Sequence, residues 1–475
     1  MRNKKMVSMV CVLGIGLVLL IPSLLLVIMS LTDYRPVSGL LGSSFVGFAN
    51  IAEFLSQLIF MRVLKNTFTI SILALFIGAA YLFTAFLAIG NSRNRMVKAA
   101  LTIVFALPAI IPVNAYIIIL QAILPTEIMM KSSVLLQVIA AAEYGLRYSA
   151  VFVIGAMFSK GNILREATKY TFLFVALRLI HILTMDTAFL NSFYNPLTYE
   201  HLDTFGSYLY RTGLMQSEFS GYAAGYVVQL LIQLLPAVVG VFLLMILFRD
   251  RSSLNSSSGN FLPSIIFAVL PVVLLILALA TGTGDGVYFE QPRVIQAYAY
   301  GMLIAAASAV VVVGLGMLLA RAVVNLGTVG VLLAAVLYFV GDNLLGYYMV
   351  GRSLGMLDTF AGVVFQNMYL IAPVGLIGAF MMKEDGSVSR AFTISVSAFG
   401  LAFAWFWGDH MSALVALRSA YKTPLSMVIY QLNNRQNTID HSPDAIQLTA
   451  TLYVLVPILV AGACIVVSRF IERRK

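Results

Sequence analysis

Runs of about twenty consecutive apolar residues recur along this chain, and nothing else in the sequence constrains its fold so strongly. A helix needs about 20 such residues to cross about 30 Å of hydrocarbon. Twelve runs meet that length: 7–31, 64–90, 99–123, 132–157, 170–190 and 220–248, then 261–281, 297–322, 327–349, 359–382, 391–408 and 448–469. Composition agrees. The 475 residues are 60% hydrophobic and 11% charged, with mean hydropathy +0.94. No soluble core of this size can bury so much apolar side chain. The expected fold class is an all-α polytopic membrane protein with about twelve transmembrane helices, and lipid is the first expected partner.

Charge sets the expected orientation. The first run follows Arg2, Lys4 and Lys5 and precedes no small-residue cleavage site, which reads as a retained span. Arg93, Arg95 and Lys98, then Lys160, Arg165 and Lys169, then Arg249 and Arg251, fall on the side of the N-terminus. Arg321, Lys383, Arg390 and the terminal Arg469, Arg473, Arg474 and Lys475 fall there too. The positive-inside rule then predicts a multi-pass protein of the cell membrane with both termini cytoplasmic. The same rule accounts for the net charge of +10, so no nucleic-acid partner is expected. Cys11 and Cys464 lie in apolar runs and read as small lipid-facing or packed residues.

A polar, Ser-rich stretch, 251–260, divides the chain. The expected organisation is one six-helix half over 1–250 and a second over 261–475. Two similar bundles in one chain is a transporter plan. Three polar segments, about 32–62, 191–219 and 409–447, are long enough to fold over the outer face.

Short motifs in these segments carry a resemblance. Ser30-Leu31-Thr32-Asp33-Tyr34 is followed by Phe45-Val46-Gly47-Phe48-Ala49-Asn50, and Leu64-Lys65-Asn66-Thr67 opens the second run. Tyr194-Asn195-Pro196 and Asp203-Thr204 precede Tyr208-Leu209-Tyr210-Arg211-Thr212-Gly213-Leu214. In this order they resemble the inner-membrane permease subunits of carbohydrate ABC importers. Leu354-Gly355-Met356-Leu357-Asp358-Thr359, Trp407-Gly408-Asp409 and Tyr421-Lys422-Thr423-Pro424-Leu425 resemble the second permease subunit of the same importers. The chain thus looks like a fusion of the pair. The resemblance implies transport of a carbohydrate or related solute, an extracellular solute-binding protein and a separate cytoplasmic ATPase.

One departure bears on that ATPase. Family permeases carry a long cytoplasmic loop whose short helices dock into it. Here only Ile163-Leu164-Arg165-Glu166-Ala167-Thr168-Lys169 and Lys383-Glu384-Asp385-Gly386-Ser387-Val388-Ser389-Arg390 stand in its place. About ten residues cannot supply a pair of docking helices. Glu166, Ala167, Glu384, Asp385 and Gly386 are the residues left for an ATPase contact. The alternatives are a permease relative that serves as a receptor or scaffold for a binding protein, or an uncoupled facilitator.

No phosphate-binding loop, catalytic set or metal-ligand spacing is found, and His181, His201, His410 and His441 are scattered. No enzyme activity and no cofactor are expected. Glu143 and Arg147 sit four apart on one helix face, either as a self-satisfying pair or as part of a solute path. Arg178, His181 and Asp186 lie along the fifth run as a polar stripe, either to line a polar path or to bind the opposite bundle. Asp342 and Asn343 interrupt the ninth after Gly341, as substrate contacts or as a helix break. Trp405, Phe406, Trp407 and Tyr421 read as an interfacial aromatic belt, or as rings for stacking on sugar. The substrate-path candidates are therefore Glu143, Arg147, Arg178, Asp342, Asn343, Trp407 and Asp409. Pro108, Pro112 and Pro236 predict kinks.

Overall fold

The computed structural model describes residues 2–92, 94–123, 133–159, 162–185, 187–193, 198–249, 292–383, 387–435 and 443–473, with seven positions between 269 and 277. Apart from a two-stranded hairpin, β1 (Thr32–Asp33) with β2 (Ser44–Phe45), the regular elements are helices. The longer ones of the first part are α1 (Arg2–Ser30), α2 (Ala49–Ser56), α3 (Ile59–Asn91), α4 (Arg95–Ile110), α5 (Val113–Ile123), α6 (Ser133–Ala150), α7 (Ile163–Ile180) and α8 (Phe219–Arg249). The second part holds α9 (Pro292–Leu326), α10 (Thr328–Gly341), α11 (Leu344–Ser353), α12 (Phe360–Gln366), α13 (Ile371–Met382), α14 (Val388–Gly408), α15 (Leu425–Arg435) and α16 (Pro443–Arg473).

Among the described residues, eight helical segments are long and apolar enough to cross a membrane, and two bent pairs raise the number to ten. Exposed Leu235, Phe242, Val310 and Leu459 stud their outward faces. The protein is thus an all-α, polytopic, membrane-embedded chain. The expected count of twelve is not met. The run 170–190 only begins on α7, an 18-residue helix that carries Arg165, Glu166, Lys169 and Arg178 and stops at Ile180. Most of the run 261–281 and the whole linker 251–260 lie outside the described residues.

The order of elements repeats. In the first part α3 packs on α6 and α7, and α7 packs on α8; in the second, α9 packs on α13 and α14, and α14 packs on α16. The third run of each part is bent, by 80° between α4 and α5 and by 85° between α10 and α11. At the first bend Pro112 removes a backbone donor. A 3-10 turn interrupts the fourth run of each part, at Val151–Ile154 and at Asn367–Leu370. The two parts also exchange contacts: α8 packs on α10, and α16 packs on α4.

Small residues bring these helices close. A Cβ on Gly145 of α6 would lie 2.5 Å from the Ala74 carbonyl oxygen of α3, and one on Gly240 of α8 would lie 2.5 Å from that of Ala176 on α7. Only glycine permits such backbone approach.

The bundle has two unlike ends. At one, the turn end, α7 and α14 begin, capped by the side chains of Asn162 and Ser387. At the other, short helices such as Thr187–Ser192, Phe205–Tyr210 and Met411–Ala416 form a cap. The motif residues meet in this cap. The Asn50 side chain donates to the Ser30 and Thr32 carbonyls, and the Asn66 side chain donates to those of Glu200 and Asp203. Arg211 pairs with the buried Asp203 carboxylate at 2.7 Å.

Candidate functional site

The second bend leaves carbonyls at the end of α10 without helical partners, a costly state away from water. Side chains of the first part satisfy them. Ser23 of α1 and Tyr226 of α8 donate to the Val340 carbonyl at 2.6 and 2.7 Å. His181 contacts the Tyr338 carbonyl through Nε2, and its Nδ1 lies 3.1 Å from the Thr184 hydroxyl. Asn343 donates to Ser23 at 2.8 Å. The bend is therefore built across the interface between the two parts, and Asn343 is one of its structural pins.

Two cavities flank this bend. The one toward the turn end encloses about 1250 Å³ of empty space and the one toward the cap about 1050 Å³, each including space open to the exterior. Both are lined by the same five residues: Tyr148 and Thr184 from the first part, and Asp342, Tyr369 and Trp405 from the second. These five form a septum between the cavities.

The septum is braced by charge. Arg147 lies over the Trp405 ring, 4.3 Å from its centroid, and pairs with Glu143 at 3.6 Å, both side chains being 4% exposed. The Tyr148 ring meets Trp405 edge-on at 4.9 Å. On the other side Arg178 donates to the Tyr144 hydroxyl at 2.6 Å and to the Thr184 carbonyl at 3.4 Å. Tyr144 donates to the same carbonyl, and Gln229 donates to the Thr184 hydroxyl. A web of side chains thus holds the segment where α7 ends.

The structure gathers most of the predicted path residues. Arg147, Asp342, Asn343 and Asp409 line the cap cavity, while Arg178 and Asp342 line the other. Asp409 also caps the Met411–Ala416 helix, accepting from the Met411 and Ser412 amides. Glu143 reaches the site through Arg147. Trp407 is placed elsewhere, 2% exposed in the core, with its indole N–H donating to the Tyr453 carbonyl at 2.8 Å. The aromatic belt is corrected too: Phe406 and Trp407 are buried between helices and Trp405 is half-buried at the septum, leaving only Tyr421 exposed.

At the turn end the candidates fare differently. Ala167 is fully buried and offers no surface to a partner, and Glu166 is paired with Lys169 at 3.3 Å. Glu384, Asp385 and Gly386 lie outside the described residues, as does Asp186. Neighbouring cations tie the two parts together. Lys383 donates to the Leu247 carbonyl of α8 at 2.7 Å, and Arg390 donates to the carbonyls of Met381 and Phe158.

Sequence reasoning missed Tyr148, Thr184, Tyr369 and Gln229. A signal existed for the last: Gln229 and Gln233 interrupt the apolar α8 four residues apart, and both are buried. No group of three or more His, Cys, Asp or Glu side chains suited to a metal occurs among the described residues. No known protein family, curated protein or solved structure matches the chain.

Proposed function

We propose that this chain is a solute permease of the carbohydrate ABC importer type, with two six-helix halves in one polypeptide. The reading takes twelve crossings, counting α7 and the segment around 261–281 with the ten apolar spans. It places the cap outside the cell and both termini in the cytoplasm. The observation that carries it is the pair of cavities set back to back at the interface between the halves, separated by a septum drawn from both. That is the arrangement alternating access requires.

The cap cavity supports a hydroxyl-rich solute. Tyr210, Tyr226, Gln229, Gln366, Arg147 and Asp409 line it. Such groups donate to and accept from hydroxyls, and the Trp405 face can stack on a sugar ring. A binding protein seated on the cap would deliver solute there. Rocking of the halves would part Trp405 from Arg147 and Tyr148, joining the cap cavity to the inner one. Contacts of Lys383 and Arg390 at the turn end would then part to release solute.

A second reading keeps the path and drops the ATPase, as a facilitator or as a receptor for a binding protein. Its support is specific. Lys383 and Arg390 direct donors to carbonyls of the opposite half, and the four residues between Phe158 and Ile163 and the five between Met382 and Val388 are too few for a pair of docking helices. Purification of the tagged chain from its native membrane, with mass spectrometry of its companions, separates the two. A stoichiometric ATPase supports the pump. A solute-binding protein without an ATPase overturns the pump and leaves the second reading.

A further inference from the structure

The cavity toward the turn end differs in chemistry from its neighbour. Its polar side chains, Arg178, His181, Thr184 and Asp342, gather where the septum closes it. Tyr144, Tyr148, Tyr338, Tyr369 and Trp405 add rings with polar atoms, and the rest of its wall is hydrocarbon and phenyl ring, including Leu177, Val374, Ile377, Met381 and Ala402. Water finds too few partners in such a space, and a polyol would forfeit hydrogen bonds there. The occupant that suits these walls is hydrocarbon. The cavity is also long: lining positions run from Leu370 to Met381, or about 16 Å at helical rise.

The septum end supplies a head-group contact. Arg178 is 5% exposed, and its hydrogen bonds run to neutral oxygens, the Tyr144 hydroxyl and the Thr184 carbonyl. Its charge has no carboxylate within ion-pair distance among the described residues. Asp342 lines the same end from the bend that follows α10 and has partners of its own. The Tyr144 ring lies 4.5 Å from the guanidinium and leaves the cation in place. A buried cation with no carboxylate in ion-pair reach is costly, and an anionic group brought into direct contact with it is favoured.

We infer that this cavity binds a single acyl chain bearing an anionic head, the head at Arg178 and the tail running toward Met381. The inference goes beyond the solute path and does not require it, because the chain is held whether or not a solute crosses.

Photolabelling of the full-length protein in phosphatidylcholine nanodiscs tests this. The probes are a diazirine fatty acid, the alcohol of equal chain length and a diazirine lysophosphatidic acid, with labelled peptides mapped by mass spectrometry. Labelling of cavity positions such as Val374 and Ala402 by the acid should exceed that by the alcohol about tenfold, the size of one charge-assisted hydrogen bond. Arg178→Gln should erase the preference. Ala402→Phe should lower labelling there while the elution profile stays unchanged. Stronger labelling by the lysophosphatidic acid would support a phospholipid source, and stronger labelling by the fatty acid a free carboxylate. Labels confined to outward positions such as Phe242 and Val310 would overturn the proposal. Equal labelling of the cavity by acid and alcohol would overturn it as well.

Discussion

Arg147 and Trp405 belong to opposite halves of the sequence, yet the guanidinium lies 4.3 Å from the centre of the indole. This contact is the brace of the septum. With Trp405 truncated to alanine, the two cavities lose the ring that lies between them. Trp405→Ala should let a small polyol leak from proteoliposomes without any driving force. It should also destabilise the protein, by less than the about 3–5 kcal/mol that deleting a fully buried ring costs, because Trp405 is half-buried. Flux of a radiolabelled polyol and thermal unfolding in detergent check the two effects, and a tight Trp405→Ala protein would remove the septum from the mechanism.

Glu143 and Arg147 form a buried ion pair at 3.6 Å. Removing one partner of a buried pair strands the other and costs about 3–5 kcal/mol, whereas replacing both by apolar groups is often near neutral. Glu143→Gln should therefore lower the unfolding temperature markedly, and Glu143→Leu with Arg147→Met should recover most of the loss. Additive losses in that cycle would show that the two residues act separately.

The cap has a lock of its own. Asp358 adopts a positive φ of 60° and accepts hydrogen bonds from the Ser419 hydroxyl and amide, from Lys422 and from the Arg418 amide. These donors, the Ser419 hydroxyl foremost, hold its carboxyl well below the usual carboxylate range. A depressed folded value means that the contribution is complete above the unfolded value of about 4 and fades as pH falls from there toward the folded one. Hydrogen exchange of residues 417–423 should stay slow from pH 7 down to about pH 4, after correction for the intrinsic rate, and rise below it. Asp358→Asn should exchange fast at every pH. A wild-type loop that opens already near pH 6 would contradict the assignment.

Gly346 lets α11 lie against α1. A Cβ there would meet the Pro22 carbonyl oxygen at 2.6 Å and crowd the Asn343 side chain. Gly346→Ala should destabilise by about 1–3 kcal/mol, as overpacking does, and should loosen the bend at Asp342. Thermal unfolding measures the first, and thiol accessibility of a cysteine placed at Leu344 measures the second. An unchanged protein in both would show that the bend does not depend on this approach.

Hydrophobic run length was enough to read the membrane class and most helices, because lipid forces each crossing to satisfy its own backbone. Breaks within runs were harder. The run 170–190 is apolar almost throughout, but α7 stops at Ile180 where Arg178, His181 and Thr184 find partners on Tyr144, Gln229 and Tyr338. Those bonds join residues up to 157 positions apart, and no local pattern announces them. The two tryptophans teach the same lesson at shorter range. Residues two apart on a helix point about 200° from one another, so only one of Trp405 and Trp407 could reach the septum. Composition drew the eye to both, and packing chose Trp405. Arg147, Asp342 and Asp409 were legible because an ionisable residue amid apolar ones needs a reason to be there.

The exchange of contacts between the two parts reaches further. Helix α8 rests on α10, α16 rests on α4, and α1 packs along α9. Each part therefore carries surfaces shaped for the other, whatever joins them in sequence. Severing the chain between Arg249 and Pro292 should leave two fragments that find each other when made together, and neither should accumulate when made alone. The peptide link then acts as a guarantee of equal dosage: every copy of one part is born with its counterpart, and no cell has to match two synthesis rates.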